Sequence, residues 1–205
     1  MRTLVHASRR LLSGIVVVLQ RSGAVISFLL VVAALSSSCG SNSDAVEDRG
    51  STRAKDATEF VLEAPSFVDG RIPPEHSLAG ANRSPELRWR GVPAGTRELA
   101  LTVVDPDASN FVHWVVVGIP PDEHRLRAGG VPPEARELRN QFGQLGWGGP
   151  APPPGSPHTY VFTLYALREP SGIPEGADGR EAIETIEGLA IASAVVRGEY
   201  EQPSR

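Results

Sequence analysis

ELALTVVDPDASNFVHWVVVGI, residues 98–119, contains two runs of mostly apolar and β-branched residues on either side of a short polar segment. β-branched residues favour strands, whereas Asp and Pro favour turns. The stretch therefore predicts a strand over 98–105 and a second over 113–119, joined by the seven-residue connection 106–112. If the two strands pair antiparallel as neighbours, Asp105 and His113 lie at the same edge of one sheet.

Side-chain alternation predicts which polar groups share a sheet face. Asp105 shares its face with Leu99, Leu101 and Val103, and His113 shares its face with Val115, Val117 and Ile119. A third strand is predicted over residues 160–167. If its alternation continues back to His158, the side chains of His158 and Tyr160 point the same way and lie roughly 7 Å apart, at ~3.4 Å per residue. Three strand ends are therefore expected to line one small polar pocket.

Glycine and proline are spread between the apolar runs, with 21 Gly and 18 Pro in 205 residues. This distribution predicts many short strands joined by tight turns. We expect short strands at 60–62 and 66–68 and a stronger strand at 86–89. With 40% hydrophobic and 21% charged residues, the chain can bury a core, and we expect one mostly β domain over residues 59–205.

One helix is predicted near the C-terminus. Asp178 is a suitable N-cap, and Glu181 follows three residues later, as in a capping box. Apolar residues Ile183 and Ile186 recur at helical spacing, and Gly198 is predicted to end the helix. Its apolar side should pack on a sheet face.

Residues 1–39 have the features of an export signal. Three arginines in the first ten residues precede two apolar runs, of which the second, 24–35, is twelve residues long. Twelve residues are too few to span a bilayer, which needs about 20. Joining the two runs would place Arg21 in the hydrocarbon at a cost of about 2.5 to 3.5 kcal/mol, so a signal peptide is favoured over a transmembrane helix.

Cys39 is the only cysteine, so no intramolecular disulfide can form. Its position after an apolar run and small residues resembles the bacterial lipoprotein signal, in which the cysteine is acylated and begins the mature protein. That signal usually has Leu three residues before the cysteine, where this chain has Ser36. An incidental cysteine beside an ordinary cleavage site is the alternative. Residues 40–58 are mostly polar and predict a flexible linker.

The charge balance limits the classes of partner. The net charge is −4, and loss of residues 1–39 removes four arginines and no acid, which leaves about −8. Nucleic-acid binding depends on clustered positive charge, and an acidic surface is not attracted to anionic lipid. We therefore expect no nucleic-acid partner and membrane association only through a lipid anchor.

Eight sequence blocks follow one another in a familiar order. They are GRIP (70–73), GANRSPELRW (80–89), VPAGT (92–96), DPDA (105–108), HW (113–114), GGP (148–150), PPPG (152–155) and HTYVFTLYAL (158–167). Together they resemble the phosphatidylethanolamine-binding protein family, in its bacterial Raf-kinase-inhibitor-like branch. The resemblance implies a large central antiparallel sheet flanked by a smaller sheet, with one or two peripheral helices and a small anion-binding pocket.

The resemblance also implies which residues form the pocket. They are Asp105, Asp107, His113, Pro152, Pro153, His158 and Tyr160. The chain departs from the family pattern at Ser109, where the Asp-Pro-Asp-Ala-Pro block has proline, and at Thr159, where the Gly-x-His-Arg block has arginine. The first departure is expected to reshape the pocket rim, and the second to remove a cation.

These residue types suit a phosphorylated ligand. The two histidines and the Tyr160 hydroxyl can donate hydrogen bonds to a phosphoryl group. Asp105 can orient a histidine, raise its pKa, or accept a hydrogen bond from an ammonium group. A phosphoethanolamine head group carries both charges. We expect an exported, lipid-anchored binding module of the cell envelope, without enzymatic activity or cofactor, that holds a small anionic or phosphorylated ligand.

Other functions remain open from the residues alone. An inhibitor of a kinase or peptidase is the main alternative, because eukaryotic members of the family act in this way. A metal site at Asp105, His113 and His158 lacks a recognised ligand spacing. A hydrolase could use Ser109 or Ser156, but no G-x-S-x-G segment is present. The glycine-rich stretch 143–149 lacks the lysine and spacing of a nucleotide-binding loop.

Overall fold

The computed structural model describes residues 59–204. The predicted export signal (1–39), its Cys39 and the linker (40–58) lie outside the described residues. In the described part, no helix is both long and apolar enough to cross a membrane.

Two antiparallel sheets and one helix make up the domain. The elements are β1 (Val61–Glu63), β2 (Leu87–Arg90), β3 (Glu98–Asp105), β4 (Phe111–Ile119), β5 (Arg125–Leu126), β6 (Arg136–Glu137), β7 (His158–Leu167), α1 (Gly179–Leu189) and β8 (Ala190–Tyr200). The central sheet has the order β6-β4-β3-β7-β8, and the small sheet has the order β1-β2-β5. The predicted fold class, a mostly β protein with a large and a small antiparallel sheet, is confirmed.

The small sheet covers one face of the central sheet. Leu62, Leu87 and Leu126 from its three strands belong to the same buried cluster as Leu101 and Phe162 from the central sheet. The opposite face packs against α1, which contributes Ala182 and Ile186 to a second cluster. The helix therefore packs on a sheet face, as predicted.

Two irregularities between β3 and β4 decide which way the β4 side chains point. Val103 lies opposite Trp114, but Val104 lies opposite Val112, so His113 is an additional residue in β4. Such a bulge re-aims a side chain. The prediction that His113 shares a face with Val115 and Val117 is therefore wrong, because those valines belong to the cluster under α1.

A second irregularity at Gly118 moves Ile119 to the other face. Gly118 has a positive φ of 73°, and Ile119 belongs to the cluster under the small sheet. The connection between β3 and β4 also differs from the prediction, because β4 begins at Phe111 and leaves residues 106–110 as a five-residue link. Residues 106–108 of this link form a 3₁₀ turn.

The helix begins as predicted and ends earlier. The Asp178 side chain accepts hydrogen bonds from the backbone N–H groups of Arg180 and Glu181. The helix ends at Leu189, and Gly198, the predicted stop, lies within β8. β8 pairs with β7 along almost its full length, and this tertiary pairing overrides the weak helical preference of an Ala- and Val-rich segment.

The short strands are confirmed in part. Strands form at 61–63 and 87–90, each within one residue of its predicted place. Residues 66–68 do not form a strand, and only an isolated bridge joins Val68 to Arg71. Asp69 and Gly70 both have positive φ and form a tight turn. The chain therefore reverses direction directly after Val68, before a strand can form.

Candidate functional site

A buried carboxylate and a histidine meet where β3 ends and β7 begins. Asp105 is 2% exposed, and its Oδ2 atom lies 2.8 Å from Nδ1 of His158. Its Oδ1 atom accepts the backbone N–H of Ala108 at 3.1 Å and caps the 3₁₀ turn. An ionised carboxylate can only accept, so Nδ1 of His158 donates and its Nε2 atom is left for other partners.

His113 reaches the same place because of the bulge in β4. It is 3% exposed, and its Nδ1 atom donates to the backbone carbonyl of Gly148 at 2.7 Å. Burial lowers the pKa of His113, against smaller raising effects from the Gly148 carbonyl and the Asp105 charge. In the neutral ring, therefore, Nδ1 carries the proton and Nε2 carries a lone pair.

Tyr160 supplies a buried hydroxyl without a partner. Its ring packs edge-on against His113 at a centroid distance of 5.0 Å. Within residues 59–204 its hydroxyl makes no hydrogen bond, although Asp105 and the Ala151 backbone are close enough to influence its titration. Burial, followed by the charge of Asp105, raises the pKa of Tyr160, so the phenol keeps its proton. A buried donor without a partner is uncommon and calls for an explanation.

The other three predicted residues lie around this group in supporting positions. Asp107 is exposed, and its Oδ2 atom accepts the backbone N–H of Thr159 at 2.8 Å, which fastens the link before β4 to the start of β7. Pro152 is buried and Pro153 is exposed. Both follow Ala151, the residue whose backbone lies near the Tyr160 hydroxyl.

The departures from the family pattern have structural consequences. Ser109 has a left-handed backbone with φ 57° and ψ 42°, and Asn110 follows with φ 58°. Proline fixes φ near −65°, so this loop conformation excludes proline at 109. Thr159 alternates with His158 and Tyr160 along β7, so its side chain points away from theirs.

Two aromatic residues extend the group, and sequence reasoning missed both. The rings of Phe111 and Phe142 lie 5.1 Å and 5.4 Å from the His113 ring and 4.8 Å from each other. Alternation could have placed Phe111 beside His113, which is two residues further along. No local pattern points to Phe142, because its approach depends on Gly148, where a Cβ atom would lie 2.5 Å from the Phe142 ring.

The other chemistries have little structural support in the described residues. No group of three His, Cys, Asp or Glu side chains there is placed to hold a metal ion. Neither Ser109 nor Ser156 hydrogen bonds to a histidine within residues 59–204. A serine–histidine pair that the sequence did not indicate joins Ser66 to Nε2 of His76 at 3.1 Å. Nδ1 of His76 donates to the Arg83 carbonyl. Both ring nitrogens are therefore engaged in hydrogen bonds that hold neighbouring segments together, and neither is available for catalysis.

Comparison with known proteins bears on the family. The family model described as phosphatidylethanolamine-binding protein matches residues 63–201. The chain belongs to that family. The family match includes β2 to β8, α1 and every residue of the candidate site, so the eight sequence blocks were a correct indication.

Relatives and solved structures within the phosphatidylethanolamine-binding protein family agree with this assignment. "Putative lipoprotein LppC" of Mycobacterium tuberculosis is 40% identical over 154 residues, covering 73% of this chain and 76% of the relative. A UPF0098 protein of Methanothermobacter thermautotrophicus is 40% identical, covering 68% and 97%. The crystal structure of Escherichia coli YbcL, described as a member of the mammalian PEBP family, has a TM-score of 0.66 and 33% identity, covering 70% and 99%.

Proposed function

We propose that this family member binds a small anion or phosphorylated group at the site formed by Asp105, His113, His158 and Tyr160. The observation that carries the proposal is the Tyr160 hydroxyl, which is buried, protonated and without a partner in residues 59–204. A ligand oxygen would complete its hydrogen bond. A buried polar group left unpaired costs about 1 to 3 kcal/mol, and a bound acceptor removes that cost.

Proton uptake is part of the proposed binding step. In their neutral forms both histidines direct an Nε2 lone pair away from the Nδ1 partners that hold them. A phosphate dianion offers only acceptors, so it needs protonated Nε2 atoms or a proton of its own. Asp105 lies 2.8 Å from Nδ1 of His158, so it can balance the charge of an imidazolium there while Nε2–H donates to the ligand.

The hydrogen-bond donors and acceptors of the site also indicate the class of ligand. A phosphate monoester monoanion brings one P–OH donor for a neutral Nε2 and several acceptors for Tyr160 and an imidazolium. An ammonium group on the same ligand would find Asp107, whose exposed carboxylate lies beside the start of β7. Phosphoethanolamine meets both requirements, and we propose that the site holds it without chemical turnover.

The Tyr160→Phe variant tests the carrying observation. It removes one oxygen and no packing, so the ligand-free domain should be at least as stable as the wild type, because an unpaired buried hydroxyl is lost. Its affinity for O-phosphoethanolamine should fall on the order of ten-fold, as one lost hydrogen bond to a charged group predicts. Isothermal titration of the purified full-length chain gives the affinity. Tyr165→Phe is the matched control, because Tyr165 lies on the same strand and points to the opposite face.

His113→Asn and His158→Ala complete the test. Each should weaken binding, and the wild-type affinity should increase as the pH falls through the histidine range. Equal affinity in the wild type and in all three variants would contradict the proposed site. If a protein partner were bound equally well by these variants, the inhibitor function would be favoured instead.

We also propose that residues 1–39 direct export and that Cys39 carries a lipid. The support comes from the sequence pattern around Cys39 and from the lipoprotein name of a relative that is 40% identical. Growth with a clickable palmitate analogue should label the wild type in the membrane fraction and leave the Cys39→Ser variant unlabelled. Labelling of both, or of neither, would contradict the anchor.

A further inference from the structure

A cleft separates α1 from part of the central sheet, on the face opposite Tyr160. It has a volume of about 550 Å³, within the range of small-molecule sites. Val104, Val161, Thr163 and Tyr165 from β3 and β7 line it, and all four are only half-buried. We call this space the helix cleft.

Hydroxyl groups and apolar side chains alternate on the floor of the helix cleft. Thr102 and Thr163 are cross-strand partners, and both are close enough to the Tyr165 hydroxyl to influence its titration. Val104 and Val161, another cross-strand pair, form the neighbouring apolar patch. The floor therefore offers an apolar surface beside a small group of hydroxyls.

The wall of the helix cleft is acidic. Glu184 and Glu187 lie three residues apart on α1 and both line the cleft, and within residues 59–204 neither forms an ion pair. The Tyr165 hydroxyl donates to Glu187 at 3.3 Å. Glu187 also lies in the last turn of α1, where the helix dipole adds negative potential.

Of the described residues, Arg180 is the one basic residue that lines the helix cleft, and its guanidinium is engaged in hydrogen bonds at one end. Nη1 of Arg180 donates to the Asn110 carbonyl at 3.2 Å and to Oε1 of Gln141 at 3.1 Å. These contacts keep its guanidinium at the end of the cleft beside the 106–110 loop. Two carboxylates against one arginine leave a net negative charge around an apolar floor.

We propose that the helix cleft binds a small organic cation with an apolar body, such as an aryl- or alkylammonium ion. Its ammonium group lies between Glu184 and Glu187, and its apolar body covers Val104 and Val161. The floor hydroxyls accept the remaining N–H groups. This site is independent of the histidine site, which lies across the sheet.

Benzylammonium is a suitable probe, with benzyl alcohol as a neutral molecule of the same shape. Titration of the full-length chain, followed by amide NMR, should show benzylammonium binding up to about five-fold more tightly than benzyl alcohol, as one partly screened charge contact predicts. The shifted amides should belong to β3, β7 and α1. Equal affinity for the two probes, or no binding by either, would overturn the proposal.

A double variant with a matched control separates site binding from general charge attraction. Glu184→Gln with Glu187→Gln should remove most of this advantage and reduce benzylammonium affinity by up to about five-fold. Glu181→Gln removes a charge from the same helix outside the cleft lining and should leave the affinity unchanged. If all three acidic residues matter equally, the attraction is non-specific and the site does not exist. Protection of the floor amides that rises with protein concentration alone would show a second copy in the cleft and would also overturn the proposal.

Discussion

The two faces of the central sheet are closed to very different degrees. On one face of β7, Tyr160, Phe162 and Leu164 are 0% exposed, whereas Val161 and Thr163 on the other face are partly exposed. A second sheet covers the closed face, but the open face has only α1, whose eleven residues span about 16 Å. β7, with ten residues, spans about 33 Å.

The closed face contributes most to the stability of the fold, whereas the open face has room for a ligand. Side chains on the closed face fill each other's gaps, and their removal leaves a cavity. The open face retains the helix cleft because α1 is too short to cover it. The histidine site lies at the rim of the closed face, where β3 ends and β4 and β7 begin.

Truncation of one side chain on each face should give the largest contrast. Phe162→Ala should lower the free energy of unfolding by about 3 to 5 kcal/mol, because it leaves a cavity in the closed face. Val161→Ala, the neighbouring residue on the open face, should cost about 1 kcal/mol, since its site is partly solvated. Urea unfolding followed by fluorescence of Trp89, Trp114 and Trp147, all in the closed cluster, measures both.

Similar losses for these two variants would show that the open face is as tightly packed as the closed one. Such a result would remove the basis for a ligand cleft beside α1.

Replacing a glycine by alanine on each side of the central sheet should give the next largest contrast between the two faces. A Cβ atom at Gly198 would lie 2.5 Å from both Ile72 and Phe67 on the closed side, so Gly198→Ala should cost about 1 to 3 kcal/mol. Gly188 in α1 has open space around it, and Gly188→Ala should stabilise the helix by up to about 1 kcal/mol. Opposite signs in thermal unfolding are expected. Stabilisation by Gly198→Ala would mean that the closed face has free volume.

The pH dependence of stability should report on the rim of the closed face. Burial lowers the pKa of His113 below its unfolded value, so the unfolded chain binds a proton first as the pH falls below about 6.5. The folded state should therefore lose stability from pH 7 toward pH 5, by at most about 1.4 kcal/mol per pH unit for one group. His113→Asn keeps a donor for the Gly148 carbonyl and should flatten this slope. An unchanged slope would place the titrating group elsewhere.

A glycine substitution in the loop that borders both faces should give the smallest effect. Ser109→Gly should stabilise the domain by up to about 1 kcal/mol, because a left-handed backbone costs a non-glycine residue about 1 to 2 kcal/mol and glycine loses part of that gain to its greater unfolded entropy. Ser109→Pro should destabilise it, since φ 57° is closed to proline. Denaturant midpoints of the pair give the test, and a stabilising proline would show a different loop.

Regular parts of the closed face could be predicted because nothing interrupts their alternation. Residues 158–167 form one strand, and 161–167 pair with β3 without a register shift. His158 and Tyr160 therefore share a face, as the period of two requires. His113 could not be placed in this way, because the bulge beside it depends on how β3 and β4 fit together. The bulge moves His113 to the face of Tyr160, and alternation alone gives the opposite answer.

The sequence by itself determined the family, the long strands β3, β4 and β7 and the Asp178 cap, since these depend on residue type and short-range spacing. The tertiary structure alone decided that residues 190–200 form a strand, because that depends on ten pairings with β7. It also decided that the Tyr160 hydroxyl has no partner within residues 59–204 and that α1 leaves a cleft. Those features depend on contacts between residues that are far apart in the sequence, and short-range sequence patterns do not specify such contacts.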